Sequence, residues 1–436
     1  MQPKIVPRPE HNISRKNIEH DALKVLYRLH RSGKTAYLVG GGLRDLLLER
    51  KPKDFDICTS ARPGEIRKLF RNSRIIGRRF RLVHVFFKNN IIEVSTFRKK
   101  SEFLQEPEDG DIMVRRENTF GTAEEDALRR DFTINGLFYE IGSFSVIDYI
   151  GGLEDIKARM IRSIGDPEIR FREDPVRMLR AIKFASRLDF DIEENTLAAI
   201  MKYRNDVLKC PKARVLEEIY RILGSGSSRR AIELMIETGM LNTLFPEIDD
   251  AIKGTGAFEI RSRLLNLLKS MDDLVIQGIT VLPPVLLGTL YEPLITPLRR
   301  SMEQGEGSYL GQLMDTIKPH LRRTTVSKKD QERFFQCLVA LPRFKPLLKR
   351  GFLPRSLVKK IYFPQAFALF SVHSMTDDVE MGQIVRWQRR YLTEHKGAAP
   401  KGQQRQRQGK PGMGRTPASN PKRAPNRRKI RKKKTT

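Results

Sequence analysis

The run "YLVGGGLRDLLLERKPKDFDICT", Tyr37 to Thr59, constrains the fold more than any other stretch of the chain. An apolar strand leads into three consecutive glycines, a helical segment follows, and a second strand-like run carries two aspartates one residue apart. Alternate side chains of an extended chain share a face, so Asp54 and Asp56 point one way and Phe55 the other. Two neighbouring carboxylates repel each other. Either that face is simply wet, or a doubly positive group sits between them.

The glycines sharpen the question. Gly40, Gly41 and Gly42 let the backbone approach a triphosphate closely, and the start of the following helix favours anions. Arg44, just inside that helix, adds a charged clamp. Aspartates at i and i+2 on one strand face are suited to bridge two Mg²⁺ ions held about 4 Å apart. One ion would lower the pKa of an attacking hydroxyl, and the other would hold the triphosphate and steady the leaving pyrophosphate. Each feature alone has an ordinary structural reading, and their succession favours nucleotide chemistry. A third feature agrees: "EEDALRRDFTINGLFY" sets Arg129, Arg130 and Asp131 at a helix-to-strand junction, with Asn135 four residues on. Two arginines beside an acid are costly to bury without an anionic ligand to neutralise.

Around these motifs the chain divides by periodicity. Residues 1–20 read as an irregular arm, and "DALKVLYRLHRSG" as a helix stopped by glycine. "RPGEIRKLF" is another helix. "RRFRLVHVFFKNNIIEVSTFRK" alternates on both sides of Lys88-Asn89-Asn90, as a hairpin does. "FSVIDYIGG", Phe144 to Gly152, closes an α/β head over residues 21–152. Helical patterns then take over through residues 153–250 and 251–395, where Pro283, Pro284, Pro293 and Pro297 make the helices hard to place.

Charge narrows the partner. With 82 Lys and Arg against 52 Asp and Glu, the net charge of +30 favours a polyanion, most often nucleic acid. Half of that excess lies in residues 396–436, which hold fifteen basic residues and no acidic one. Such a tract buries no core and reads as a disordered, polyanion-binding tail. No apolar run is long enough to span a bilayer, and the N-terminus lacks the apolar run of a secretory signal. The three cysteines, Cys58, Cys210 and Cys337, fit no disulfide or metal pattern. A reducing, cytoplasmic setting is expected.

The ordered motifs "LVGGGLRDLLL…KDFDICT", "IIEVSTFR", "RRDFTIN", "YIGGLEDI" and "REDPVRMLRAIKFASRL" resemble those of the nucleotidyltransferase class that holds bacterial poly(A) polymerases and CCA-adding enzymes. The resemblance covers residues 36–250. It implies an α+β fold with a polymerase-β-like head on a small mixed sheet, followed by an all-α neck over 153–250, an all-α, RNA-binding body over 251–395 and a disordered basic tail. By the same resemblance Asp54 and Asp56 are the metal-binding carboxylates, and Gly41, Gly42 and Arg44 contact the triphosphate. Arg129, Arg130, Asp131 and Asn135 complete the pocket. Two residues compete as the third catalytic carboxylate: Asp131, in the second motif, and Glu93, which strand parity allows to face the metals.

"REDPVRMLRAIKF" opens the helical region, with Arg177 and Arg180 an i, i+3 pair on one face. In the enzymes this chain resembles, residues of this motif read the incoming base. For ATP, Asp174 would accept from the adenine amino group and Arg177 would donate to the adjacent ring nitrogen. "RIIGRRFRLVHVFF" resembles a segment characteristic of bacterial poly(A) polymerases. There Arg78, Arg79 and Arg81 supply positive charge, Phe80 stacks on a base or merely packs, and His84 reads as a packed strand histidine. The "HD" pair His20-Asp21 reads as chance, because the seven histidines are well dispersed. The activity implied is template-independent transfer of AMP from ATP to RNA 3′ ends with release of pyrophosphate, in mRNA processing and RNA decay. Addition of CCA to tRNA is the alternative.

Overall fold

Alternation of apolar and polar residues builds a sheet whose two faces have different tasks. The computed structural model describes residues 2–77, 81–99, 120–254, 256–303, 308–350 and 353–374. Arg78, Arg79 and Phe80, and the basic tail over 396–436, lie outside the described residues.

Among the described residues eight strands form the sheet: β1 (Lys4–Val6), β2 (Ala36–Val39), β3 (Asp56–Thr59), β4 (Ser73–Ile76), β5 (Leu82–Phe86), β6 (Ile91–Thr96), β7 (Leu137–Glu140) and β8 (Val146–Asp148). Their order is β1-β8-β7-β2-β3-β6-β5-β4, and every pairing is antiparallel except that of β3 with β6. The sheet is therefore mixed, as expected. β5 and β6 form the hairpin about Lys88-Asn89-Asn90.

Two strand expectations need correction. Residues 4–6 do not belong to an irregular arm; they pair with β8 as an edge strand. The run between Pro3 and Pro7 is too short for alternation to reveal it. The "KDFDICT" strand begins only at Asp56, so Asp54 precedes the ladder. The alternation still holds: Phe55 is buried, while Asp54 and Asp56 are both exposed.

On one face of the sheet, α1 (His20–Arg31), α2 (Gly40–Leu47) and α3 (Pro63–Leu69) cover the main core of the head. Leu26, Leu43, Phe55, Ile57, Val85 and Val94 meet there. Tyr37, Val39, Cys58, Phe97 and Phe138 form a smaller apolar cluster on the other face. Strand parity thus sends Asp56, Glu93 and Ser95 to the face away from the main core. After α4 (Ala123–Leu128) and α5 (Gly152–Lys157) comes a second, two-stranded sheet, β9 (Met160–Ile161) with β10 (Asp191–Ile192), around α6 (Pro167–Glu173) and α7 (Val176–Leu188).

The remainder is helical. The sequence continues through α8 (Glu194–Tyr203), α9 (Lys212–Leu223), α10 (Ser228–Glu237), α11 (Met240–Leu244), α12 (Pro246–Ala251) and α13 (Ala257–Ile276). Then follow α14 (Pro283–Leu290), α15 (Glu292–Glu303), α16 (Tyr309–Arg323), α17 (Lys328–Arg350), α18 (Arg355–Val358) and α19 (Phe363–Ser374). Pro283 and Pro284 start a helix rather than break one, because the first turn has no intrahelical acceptor for their missing N–H. Pro297 sits inside α15. Among the described residues no helix is long and apolar enough to cross a membrane.

Candidate active site

The glycine turn and the acids meet because β2 and β3 are neighbours. Val39, the last residue of β2, pairs with Asp56, the first of β3, so the chain enters the glycine turn beside the carboxylate. Gly40 has φ +71°, in the left-handed region that disfavours a side chain. A Cβ there would lie 3.7 Å from the Asp56 carboxylate and 3.6 Å from the Arg130 guanidinium. Gly42 serves a different contact: a Cβ would come within 2.7 Å of the Asp54 carbonyl oxygen. Its bare Cα lets the Asp54–Phe55 backbone press onto α2, which fixes the acid pair against the turn.

A cavity of about 500 Å³ opens over this face, between the head and α6–α7. Six arginines line it: Arg44, Arg129, Arg130, Arg177, Arg180 and Arg187. Four acids face them: Asp56, Glu93, Asp131 and Asp174. Gly40, Gly41 and Asn135 also line the cavity. Asp54 is exposed beside the cavity rather than among its lining residues, and Gly42 lies beneath it.

Asp56 and Glu93 are register partners across the parallel β3–β6 pair. The Asp56 carboxyl reaches solvent through the cavity, yet protein displaces most of the water around it. That loss of hydration, with the charges of Glu93 and Asp54, pushes it up to about 6, and Arg130 offsets part of the rise. Glu93 Oε1 lies 3.1 Å from His84 Nε2 on β5, so His84 packs against the third acid of this cluster. Among the described residues no three such donors already form a metal cage.

Asp131 is held differently. Its Oδ1 accepts from the Phe132 N–H at 2.9 Å and from Asn135 Nδ2 at 3.1 Å, and Arg180 Nη2 lies 2.5 Å from its Oδ2. Burial opposes its ionisation, but Arg180 and the Asn135 hydrogen bond hold the carboxyl below the usual range. Asn135 Oδ1 in turn accepts from Arg44 Nη1 at 2.6 Å. Arg44, almost fully buried, also donates to Asp45 Oδ1 at 2.6 and 3.0 Å, and Arg187 Nη2 donates to Asp45 Oδ2 at 2.9 Å. One polar chain therefore runs from α7 through the head and back to α7.

Two anchoring residues escaped the sequence reading. Asp126 is fully buried and takes both arginines of the second motif: Arg129 on Oδ1 at 2.5 and 2.9 Å, Arg130 on Oδ2 at 2.9 and 3.1 Å. Burial works against its charge, but the two guanidiniums outweigh this and keep the carboxyl below its ordinary value. The i, i+3 and i, i+4 spacing on α4 was the available signal. Arg170 on α6 donates to the carbonyls of Arg129 and Arg130, each at 2.7 Å, and to Glu173 Oε2 at 2.7 Å. Only the tertiary structure brings it there.

The α7 entrance carries unsatisfied polar atoms. Asp174 Oδ2 accepts from Arg214 Nη2 at 2.7 Å, while its Oδ1 is buried without a hydrogen-bond partner. Arg177 Nη1 and Arg180 Nε are likewise buried without one. Unpaired acceptors and donors side by side, in a cavity, are what a ligand with both kinds of group would satisfy.

Residues 36–162 match the family described as poly A polymerase head domain, and residues 189–252 the one described as probable RNA and SrmB- binding site of polymerase A. Poly(A) polymerase I of Salmonella typhimurium is 43% identical over 308 residues, which is 70% of this chain and 66% of that protein. The aligned stretch thus spans about two thirds of that relative's length. Poly(A) polymerase I of Haemophilus influenzae is 32% identical over 89% of this chain and 87% of its own length. Among solved structures, the Bacillus stearothermophilus CCA-adding enzyme in complex with CTP superposes with a TM-score of 0.58 at 26% identity, covering 86% of this chain and 82% of that one. A polymerase-β-like head on a mixed sheet, a helical body and these relatives agree: the chain belongs to the poly(A) polymerase I family of nucleotidyltransferases.

Proposed function

We propose that this chain transfers AMP from ATP to the 3′-hydroxyl of RNA without a template, releasing pyrophosphate. The observation that carries the reading is the meeting of Gly40–Gly41, Asp56 and Glu93 with six arginines around one cavity. Cationic walls suit a triphosphate, and a floor of acids suits the divalent ions that accompany it.

The donor set fits two Mg²⁺. Carboxyls brought together against their own repulsion, one of them pushed up to about 6, gain most from a cation. Asp54 and Asp56 would hold the ions, with substrate oxygens completing the shell as is usual for Mg²⁺. When bound, the ions supply Lewis-acid activation of the attacking hydroxyl and neutralise charge on the phosphates. For the third carboxylate, the strand register of Glu93 beside Asp56 favours Glu93, while Asp131 is committed to Arg180, Asn135 and a backbone N–H. Asp131 then orients the arginine that faces the nucleotide.

Gly41 offers its backbone to the phosphates, and Arg129 and Arg130, braced by Asp126, present fixed charge to them. Arg44 acts through Asn135 and Asp45 as much as by direct contact, since its donors are already engaged. Asp174 Oδ1 and Arg177 Nη1 match an adenine edge, which donates from its amino group and accepts at the neighbouring nitrogen. The free, buried cysteines agree with a reducing cytoplasmic setting.

The similarity to a CTP-bound CCA-adding enzyme supports one rival, CCA addition to tRNA. Supplying each nucleotide separately distinguishes them. Long tails from ATP alone on a generic RNA are expected; CTP-dependent addition confined to tRNA lacking its end would replace this reading. In the same assay Asp54→Ala is expected to lower incorporation by about a thousandfold or more while RNA still binds.

A further inference from the structure

A second cavity, of about 630 Å³, lies between α16 and α17 and shares no lining residue with the active site. The two helices are joined by the short link 324–327 and so run as an antiparallel hairpin. Leu310, Met314, Lys318 and Arg322 recur every fourth residue, giving α16 one stripe that faces the groove. Lys328, Phe335 and Arg343 mark the facing stripe on α17, and Tyr362 closes the groove near α19.

What marks the groove among the described residues is that its cations converge on one channel without a carboxylate to hold them. In the helical region Arg214, Arg221, Arg230 and Arg323 each hold a carboxylate. Among the described residues Lys318, Arg322, Lys328 and Arg343 pair with none, and Glu332 is the groove's one acid. The contrast is sharpest at adjacent positions: Arg323 turns to Glu247 at 2.6 Å, while Arg322 turns to the groove. Unpaired cations along both walls, an aromatic ring at one end and an apolar floor are the parts that hold single-stranded nucleic acid.

We propose that this groove is a second RNA-binding site, taking a single-stranded segment internal to the 3′ end that is extended. The proposal rests on the polyadenylation reading above. It assigns RNA contact to helices beyond residues 189–252, the region that matches an RNA-binding family. Lys318, Arg322, Lys328 and Arg343 contact phosphates, and Tyr362 takes a base face. Recognition is therefore blind to sequence and sensitive to RNA length.

The test compares the full chain with Lys318→Ala/Arg322→Ala and with a control of equal charge, Arg67→Ala/Lys68→Ala on exposed positions of α3. Fluorescence anisotropy measures binding of oligo(A) of about 6 and about 24 nucleotides over a range of salt, bracketing the usual size of single-strand sites. The groove variant is expected to lose on the order of tenfold in affinity for the long RNA, and its log–log salt slope to fall by about 1.4. The control should keep wild-type values, and matched thermal melting excludes misfolding. A groove variant that binds long RNA like the control overturns the assignment and leaves the groove to an acidic protein surface. Failure of the unaltered chain to bind oligo(A) or incorporate AMP overturns the polyadenylation reading, and the groove assignment with it.

Discussion

Asp56 of β3 and Glu93 of β6 stand side by side in the parallel β3–β6 pairing of the head sheet, with their side chains on the face that carries the cavity. Burial, with repulsion from Glu93 and Asp54, raises Asp56 to about 6. Its unfolded value is about 3.9, so the native state binds the extra proton between these limits. Stability of the metal-free protein therefore falls as pH rises through that window, and the penalty is absent below it. Asp56→Asn should raise stability by about 1 kcal/mol above pH 6, a figure discounted for the carboxyl's access to solvent. Below pH 4 the gain should vanish. Thermal melts in chelator across pH check this, and Mg²⁺ should raise the wild-type Tm near neutrality but not that of Asp56→Asn. Parallel pH profiles for the two proteins would sink the account of the acid cluster.

Gly42 gives a steric prediction. Alanine there places Cβ 2.7 Å from the Asp54 carbonyl, so the acid loop must shift away from the glycine turn. We expect a loss of about 1–3 kcal/mol in urea unfolding, together with loss of nucleotide transfer. Gly64→Ala on α3, where nothing lies within 4 Å, should be neutral or slightly stabilising. Equal behaviour of the two variants would contradict the packing argument.

Asp126 supports two arginines from a fully buried position. Asp126→Asn keeps the shape and removes the charge, leaving two guanidiniums uncompensated. A destabilisation of about 3–5 kcal/mol follows from the general cost of breaking a buried ion pair. Denaturant unfolding measures it, and unchanged stability would mean that solvent, not Asp126, balances Arg129 and Arg130.

Base selection should reside in Asp174 and Arg177. Asp174→Ala or Arg177→Ala is expected to cut the ATP-over-CTP ratio of kcat/KM by about ten- to a hundredfold, the effect of losing one or two hydrogen bonds to a base edge. The ratio, rather than the rate with ATP alone, is the decisive readout. A uniform fall with every nucleotide would place these residues in the scaffold instead.

What the sequence disclosed was whatever local periodicity encodes. The hairpin and the glycine-led helix start follow from alternation and turn chemistry, and the structure contains them, whereas Asp54 lies ahead of the β3 ladder and outside the cavity lining. What it hid depends on distance along the chain. Arg44 reads as a free clamp until Asn135, 91 residues away, is brought against it. Arg170 carries no local signal at all, and its role is visible only once α6 docks on the carbonyls of Arg129 and Arg130. The edge strand at 4–6 is too short for any period, and only its pairing with β8 makes it visible. Asp126 was within reach, since its spacing to both arginines is helical, but three acids in a row at the start of α4 resemble ordinary N-terminal charge.

Arg170 bears on how such a site measures its substrate. By gripping the successive carbonyls of Arg129 and Arg130, it ties the start of the helical region to the side of the pocket that those two arginines line. On the proposed reading, a nucleotide is gauged between two jaws cast as one piece, so a base of the wrong size displaces its own phosphates instead of parting the jaws.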